Sequence, residues 1–485
     1  ERNNAIVDMG SNQYPSINWV RGAVTGKFNL KYPFHISEYA HSMGNAAGNL
    51  IDYWEAIEST NFFMGGALWD WMDQSMYYYD KKTGEKFFAY GGDFGDKPND
   101  GTFVNNGLIF ADRTEKPQYW EVRKVYQNVG VKALDIEKGE IEIFNKNYFV
   151  SLEDFGIQWV LFEDGVEIER SSAFIGPKNI IAARQKQIVR VPLSFGKLKE
   201  QSEYFVKIQF AHKEDKFWAT KGYVQMEEQL LVKNATYKPL ISAVAKGSAF
   251  KIADNANLKV VEGEGFKVVK KKKKGTIHSL SYNENTIIRA GEGPKLDAYR
   301  APVDNDNWAY QQWVAKGLHN LKHKALSNSI FQRADGALVL SFVVESQAPN
   351  AATIQGGTSG TYKIIEHTDR PFGDTDFKFT TNQIWTVYAD GSIELESSVS
   401  SNDDSFVLAR LGYGLQLPEN LSNYTYYGRG PINNYADRKT AQNIELHKST
   451  VKNQFVNWAN PQSMSNNEEV RWASLTNASG NGVIF

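Results

Sequence analysis

The stretch FHISEYAHSMGN, residues 34–45, places a carboxylate directly after a short apolar run. Glu38 follows FHIS, and His41 comes a few residues later. In parallel αβ barrels, the active site lies at the carboxyl ends of the strands and is built from the loops that follow them. A glutamate at a strand end is also typical of a surface salt bridge, so the position of Glu38 alone is compatible with either role.

A second apolar run, FFMGGAL, ends in a cluster of the same kind. Indole rings and carboxylates follow it closely: Trp69, Asp70, Trp71 and Asp73. Aromatic rings stack on the apolar faces of sugars, while carboxylates bind sugar hydroxyls or react at the anomeric carbon. Since neighbouring parallel strands end at one rim, the two clusters together predict a sugar pocket and favour a reacting carboxylate at Glu38.

A long irregular stretch, YGGDFGDKPNDGTFVNNG, covers residues 90–107 and is rich in glycine. Loops of this length in a compact domain are usually functional. Neither the dinucleotide-binding glycine pattern nor the P-loop is present, so the glycines do not indicate a phosphate site. Asn106 and the carbonyl groups around it offer neutral oxygen ligands, which suit an alkali cation better than zinc.

Other patterns point to structure more than to chemistry. His319 and His323 have the spacing of a metal-binding helix pair, but the glutamate of the protease motif is missing and lysines lie alongside, which favours an exposed helix face. The lysine run 270–274 favours a solvated turn over a phosphate site. No Ser-His-Asp triad can be assigned from the order of residues.

Composition narrows the class of protein. The chain has 485 residues, which predicts two to four domains. Its net charge of −2 gives no reason to expect nucleic acid or an anionic membrane as a partner, and no apolar run reaches the roughly 20 residues that span a bilayer. There is no cysteine, which fits a reducing cytoplasm and does not exclude a periplasm. The first residues, ERNNAIVDMG, carry neither an initiator Met nor a signal-peptide pattern, so we expect an internal piece of a longer protein.

The hydrophobic pattern changes twice along the chain. Residues 1–127 alternate buried strands with amphipathic helices, which predicts βα units and a parallel sheet. Residues 128–234 alternate with period two and contain turn signals, as antiparallel sandwiches do. Residues 235–485 are also rich in strands, with a helical insert predicted over residues 307–326.

Five separated blocks carry a family resemblance: SEYAHSMGN, GGALWDWMDQS, AYGGDFGDKPNDGTFVNNGLIFADR, YRAPVDNDNW and YYGRGPINNYADR. In this order, they resemble the large bacterial β-galactosidases of glycoside hydrolase family 2. The second and third blocks are closer to the β-galactosidase branch than to the glucuronidase or mannosidase branches.

The resemblance implies a multidomain fold. It comprises the C-terminal part of an (αβ)8 TIM barrel over residues 1–127, an immunoglobulin-like β-sandwich over 128–234, and a β-supersandwich of the β-galactosidase small-chain type over 235–485.

Six residues of this chain match functional positions of the family. Glu38 matches the catalytic nucleophile, and Tyr14 resembles the tyrosine that hydrogen-bonds it, although the neighbouring Gln13 differs from the family pattern. The others match sugar and sodium ligands: His41 for a sugar hydroxyl, Trp69 for the pocket floor, Phe103 (through its carbonyl) and Asn106 for sodium.

The resemblance also implies groups that this chain lacks. The general acid/base glutamate, the magnesium ligands and an aspartate of the sodium shell are expected upstream, so the chain alone should be a poor catalyst. The expected substrates are β-galactosides such as lactose, and the full-length protein is expected to be a homo-oligomer. A family 2 enzyme with another sugar preference and a non-catalytic carbohydrate-binding β-sandwich protein are the alternatives.

Overall fold

A three-stranded parallel sheet opens the fold. The computed structural model describes residues 6–175, 180–193, 198–236, 250–356 and 362–485. The sheet order is β1-β2-β3, and both pairs are parallel, which confirms the predicted βα pattern. Its elements are β1 (Gly10–Gln13), α1 (Ile17–Val24), β2 (Phe34–Tyr39), α2 (Leu50–Glu58), β3 (Phe63–Leu68) and α3 (Pro117–Val125).

Local sequence explains these helices and their packing. Ser16 caps α1 by accepting a hydrogen bond from the Trp19 amide, and α3 begins with Pro117, whose missing N–H costs nothing in the first turn. Buried apolar residues of the helices and strands form one core, which includes Phe34, Ile36 and Leu50. The order of these elements brings the ends of β1, β2 and β3 together. A hairpin, β4 (Met76–Tyr79) and β5 (Lys86–Ala89), leaves this part of the fold after β3.

Two antiparallel sheets follow, as the period-two pattern predicts. The sheet orders are β10-β7-β6 and β12-β11-β8-β9. Apolar side chains of both sheets, such as Ile141 and Ile208, share one buried core. The strands are β6 (Val129–Asp135), β7 (Glu140–Asn145), β8 (Phe155–Glu163), β9 (Val166–Arg170), β10 (Lys186–Arg190), β11 (Tyr204–His212) and β12 (Val224–Lys233).

The rest of the chain is almost entirely antiparallel. A five-stranded sheet, β13 to β17, and a four-stranded sheet, β19-β20-β23-β24, share a core that includes Val268 and Leu340. The elements are β13 (Lys251–Asp254), β14 (Leu258–Gly263), β15 (Phe266–Lys271), β16 (Thr276–Tyr282), β17 (Asn285–Ile288), β18 (Lys295–Asp297), α4 (Tyr310–Ala315), β19 (Lys322–Gln332), β20 (Leu338–Gln347), β21 (Asn350–Gln355), β22 (Lys363–Pro371), β23 (Phe379–Val387), β24 (Ile393–Ser401), β25 (Gly412–Gly414), β26 (Asn423–Gly430), β27 (Asn443–Thr450), β28 (Trp472–Thr476) and β29 (Gly482–Ile484). No helix in the part that the structure describes has the length and apolarity to cross a membrane.

The predicted long helical insert is wrong. Helix α4 is short, and Gly317, with a φ of 73°, follows it in the left-handed conformation that ends helices. His319 lies in a one-turn 3₁₀ helix with a side chain only 9% exposed, whereas His323 lies on β19 and bonds Ser346. The two rings therefore share no exposed helix face.

The lysine run is not wholly a solvated turn. Lys270 lies on β15, and the alternation of the strand points its side chain into the core. Its amine sits 3.9 Å from the ring centre of Phe342 and 4.1 Å from that of Trp385. Burial alone holds the pKa of Lys270 well below its usual range. Only the residues after Lys271 form the turn.

A buried arginine joins the C-terminal strands to the parallel sheet. Arg438 is 3% exposed and lies between β26 and β27. It donates to the main-chain oxygen of Ala46 at 2.9 Å and to the side-chain oxygens of Asn45 and Asn433 at 2.7 and 3.0 Å. Since all three acceptors are uncharged, the arginine acts as a hydrogen-bonding hub rather than as one half of an ion pair.

Replacing this hub should loosen the contact. We expect Arg438→Met to lower the free energy of unfolding by about 2–5 kcal/mol, because several buried oxygens lose their donor at about 1–3 kcal/mol each. Urea unfolding followed by tryptophan fluorescence measures this. The control is Arg333→Met, whose guanidinium is exposed and pairs with the nearby Asp335; it should change stability by less than about 0.5 kcal/mol. Equal losses in the two variants would contradict the assignment.

Candidate active site

Tyr14 and Glu38 meet at the ends of β1 and β2. Gln13 faces Glu38 across the parallel pair, and the Tyr14 amide donates to the Glu38 main-chain oxygen at 2.8 Å. Tyr14 has a φ of 46°, which turns the chain where β1 ends. Its hydroxyl hydrogen-bonds the Glu38 carboxylate; burial, and then the negative charge of Glu38, raise the pKa of Tyr14 well above its usual value. A tyrosine that keeps its proton is a dependable donor to a carboxylate.

His41 lies beside this pair. Its ring centre is 6.1 Å from that of Tyr14, edge to face, and 6.1 Å from that of Phe103 on the opposite loop. The structure thus brings together four of the residues predicted for the site, from three separate segments of the chain. Asn305, far along the sequence, contacts the same histidine.

Main-chain hydrogen bonds tie the end of β3 to the two loops beside it. Trp69 donates its amide to Tyr39 and accepts a bond from the Ser42 amide at 2.7 Å. The next residue, Asp70, donates its amide to the main-chain oxygen of Asn106 at 2.7 Å. The peptide bond between Trp69 and Asp70 is cis. Trp69 is therefore fixed at the rim, between the histidine loop and the loop that carries Asn106.

Asn106 has the properties of a cation ligand. It is 2% exposed, and its side-chain oxygen has no hydrogen-bond partner within the described ranges. A buried amide oxygen without a donor needs an explanation, and a bound ion or water is one. Such an oxygen is a hard neutral ligand, so the residue fits an alkali cation. Groups of three or more His, Cys, Asp or Glu that could hold a metal are absent from the described residues.

The prediction that Asp73 lies at the rim with Trp69, Asp70 and Trp71 is wrong. Its carboxylate points into the protein, where Oδ1 lies 2.6 Å from Nζ of Lys116 and both side chains are at most 5% exposed. The Gly107 amide donates to the same oxygen at 2.8 Å. A Cβ on Gly107 would lie 2.2 Å from the main chain of Met72 and Asp73, so only glycine permits this approach. Burial raises the pKa of Asp73, opposed by Lys116, and lowers the pKa of Lys116, opposed by Asp73.

Several residues beside the site were not predicted to act there. Asn305 bonds His41, and its neighbour Asp304 is buried and accepts from Gln462 Nε2 at 3.0 Å. Gln462 in turn accepts from the Asn45 amide at 2.9 Å. In the sequence, the block YRAPVDNDNW carries only the family resemblance, because a contact across hundreds of residues has no local periodicity or spacing to reveal it.

Models of three protein domains match successive parts of the chain. The TIM barrel domain of the family 2 glycosyl hydrolases matches residues 3–131, domain 4 of β-galactosidase matches 141–233, and the β-galactosidase small chain matches 262–485.

Curated relatives give the same picture. A β-galactosidase of Priestia megaterium is 30% identical over 94% of this chain and 41% of its own length. A β-galactosidase of Halalkalibacterium halodurans is 27% identical over 99% of this chain and 44% of its own length. One from Psychromonas ingrahamii is 27% identical over 87% and 39%, respectively. The chain thus spans about two fifths of the length of the relatives that it matches.

The pair beneath the rim gives a prediction with a pH dependence. We expect Lys116→Met to lower the free energy of unfolding by about 3–5 kcal/mol, because it leaves a buried carboxylate without its partner. Without Lys116 the pKa of Asp73 rises further, so the folded state holds a proton that the unfolded state has released. The variant should therefore lose stability as the pH rises. Urea unfolding at pH 5.5 and pH 8 measures both effects.

The matched control replaces both partners. Asp73→Asn combined with Lys116→Met keeps an acceptor for the Gly107 amide and removes the charge, so it should recover most of the loss and its pH dependence. If the double variant is as unstable as the single one, with the same pH dependence, the ion pair is not the cause.

Proposed function

Because the chain belongs to glycoside hydrolase family 2, we propose that it forms the C-terminal part of a retaining β-galactosidase, which hydrolyses terminal non-reducing β-D-galactose. In this proposal the parallel sheet is the last part of an (αβ)8 barrel. The immunoglobulin-like sandwich and the β-supersandwich follow it in that order. The observation that carries the proposal is the hydrogen bond of Tyr14 to Glu38, beside His41, at the end of parallel strands.

Glu38 is the proposed nucleophile. Cleavage with retention needs two carboxyl groups about 5–5.5 Å apart, of which one attacks the anomeric carbon while the other protonates the departing oxygen. The Tyr14 hydroxyl donates to the Glu38 carboxylate and so orients its oxygens for forming a galactosyl ester. When the ester is hydrolysed, the Glu38 oxygen leaves as the carboxylate, to which the same hydroxyl again donates.

The second carboxyl group is proposed to come from a segment ahead of this chain. It would first give its proton to the leaving oxygen and then take one from the attacking water. General acid/base catalysis of this kind typically raises the rate 10²–10⁴-fold. The length of the relatives, of which this chain spans about two fifths, leaves room for such a segment. We therefore expect this chain alone to turn over galactosides poorly.

His41 and Trp69 are the proposed sugar contacts. Imidazole nitrogen can bind a sugar hydroxyl, and the indole ring offers a flat apolar floor. Sodium is proposed to bind the Asn106 side chain and the Phe103 carbonyl, where it would supply a positive charge for a sugar hydroxyl. Magnesium ligands are proposed for the preceding segment. Lactose is the proposed type of substrate, and the full-length protein is proposed to be a homo-oligomer.

Glu38→Gln in the full-length protein tests the nucleophile. The amide keeps the shape of the side chain and removes its charge, so hydrolysis of nitrophenyl galactoside should fall at least about 10⁴-fold with an unchanged unfolding transition. The unaltered protein should hydrolyse the galactoside faster than the glucuronide or the mannoside.

A 2-deoxy-2-fluoro galactoside should label the peptide that contains SEYAHSMGN. A label on any other peptide, or faster hydrolysis of another sugar, would refute the proposal.

Two adjacent asparagines test the cation site. We expect Asn106→Ala to raise the sodium concentration that gives half-maximal activity at least about tenfold, because the ion loses a ligand. Galactoside hydrolysis is measured against sodium chloride, with choline chloride holding the ionic strength constant. Asn105→Ala is the matched control, since Asn105 is also buried and its side-chain oxygen has no partner among the residues that the structure describes. A larger effect at Asn105 would move the ligand to that residue, and no effect at Asn106 would refute its role.

A further inference from the structure

A short turn of the C-terminal region reaches the candidate active site. It is the 3₁₀ turn Asp304–Trp308, and its second residue, Asn305, lies against His41. The Asn305 side-chain oxygen is 3.1 Å from His41 Nδ1. The amide nitrogen of the same side chain donates to the main-chain oxygen of His41 at 2.9 Å. One amide group thus holds both the ring and the backbone of the histidine.

This double contact fixes which ring nitrogen carries the proton. The main-chain oxygen of His41 can only accept, so the NH₂ of Asn305 must face it. The carbonyl oxygen of the amide then necessarily faces Nδ1. Since that oxygen can only accept, Nδ1 must carry a hydrogen. In the neutral imidazole, Nε2 is left with the lone pair.

The turn that carries Asn305 is anchored on both sides. Asp304 is 6% exposed and accepts from Gln462. Asp306 is 7% exposed; it accepts two bonds from the Arg300 guanidinium, at 2.5 and 3.1 Å, and one from the Val303 amide at 2.7 Å. Asn305 itself is exposed between them. The buried carboxylates of Asp304 and Asp306 therefore fix the backbone on both sides of Asn305. This restricts the positions that the Asn305 side chain can take beside His41.

We propose that Asn305 is a positioning residue for substrate binding, which holds the His41 imidazole in its Nδ1–H form so that Nε2 accepts a hydrogen bond from a sugar hydroxyl. This inference rests on the proposed function, because it assigns a direction to the proposed contact between His41 and the sugar. It also gives the C-terminal strands a part in the active site. The ring is bordered by Tyr14 and Phe103, so its plane is restrained while Asn305 sets its protonation.

The tautomer can be measured without any activity. The chain contains 8 histidines, and ¹⁵N-histidine labelling with long-range proton–nitrogen correlation shows which nitrogen of each ring is protonated. His41 is identified by the signals that disappear in His41→Gln. We expect the unaltered chain to show a protonated Nδ1 and a bare Nε2 for His41. Asn305→Ala should shift the ring toward a mixture of both tautomers. The control, Asn307→Ala, changes an exposed asparagine of the same turn and should leave the spectrum unchanged.

Kinetics of the full-length protein test the consequence for substrate. Asn305→Ala should lower kcat/KM for nitrophenyl galactoside about tenfold, and Asn307→Ala should not. The inference is wrong if Nε2 of His41 is protonated in the unaltered chain, or if Asn305→Ala leaves the tautomer of His41 unchanged. An unchanged kcat/KM in an active Asn305→Ala enzyme also overturns it. If the full-length protein has no galactosidase activity but Asn305→Ala still shifts the tautomer, the proposed function is refuted. The role of Asn305 in positioning His41 then still holds.

Discussion

The loop after β2 depends on hydrogen bonds from distant parts of the chain. Residues 41–49 form no regular structure, yet most of them are buried, and buried peptide groups must be paired. Gln118 donates to Ser42 and Gly44, and further partners come from the loop after β3 and from the C-terminal strands. The groups outside β2 and α2 that pair with this loop's main chain are Trp69, Asn105, Gln118, Asn305, Asp437, Arg438 and Gln462. Four of the seven lie beyond residue 300, so the shape of the loop is set by tertiary contact.

This constraint explains which features the sequence could predict. Glu38 and Trp69 follow apolar strands, and the chemistry of a strand end can be inferred from neighbouring residues. The parallel sheet and the antiparallel strands likewise follow from periodicity, because alternation along a strand is a local property. Tyr14, in contrast, is predicted only by the family resemblance, since its contact with Glu38 depends on how β1 pairs with β2. The domain boundaries and the roles of the site residues remain predictions.

The errors have a common physical origin. Lys270 and Asp73 belong to residue types that normally face water, yet strand alternation buries the first, and Lys116, 43 positions away, neutralises the second. His319 and His323 fit a helical spacing, but the chain leaves the helix at Gly317 and pairs with β20 instead. For Lys270 and Asp73, the residues that decide the environment lie far away in the sequence. For the two histidines, the cause is a backbone conformation that residue spacing does not encode.

The loop after β2 and its C-terminal hydrogen-bond partners are far apart in the sequence, and this separation sets the order in which they are synthesised. The Asn45 amide donates to the side-chain oxygen of Gln462, which lies 417 positions further along the chain. At about 5–20 residues per second, that partner leaves the ribosome roughly 20–80 s after the loop does. Until then the nascent loop must keep its peptide groups hydrated. The candidate active site can therefore take its final form only late in translation, after the sheets that separate its parts in the sequence have been made.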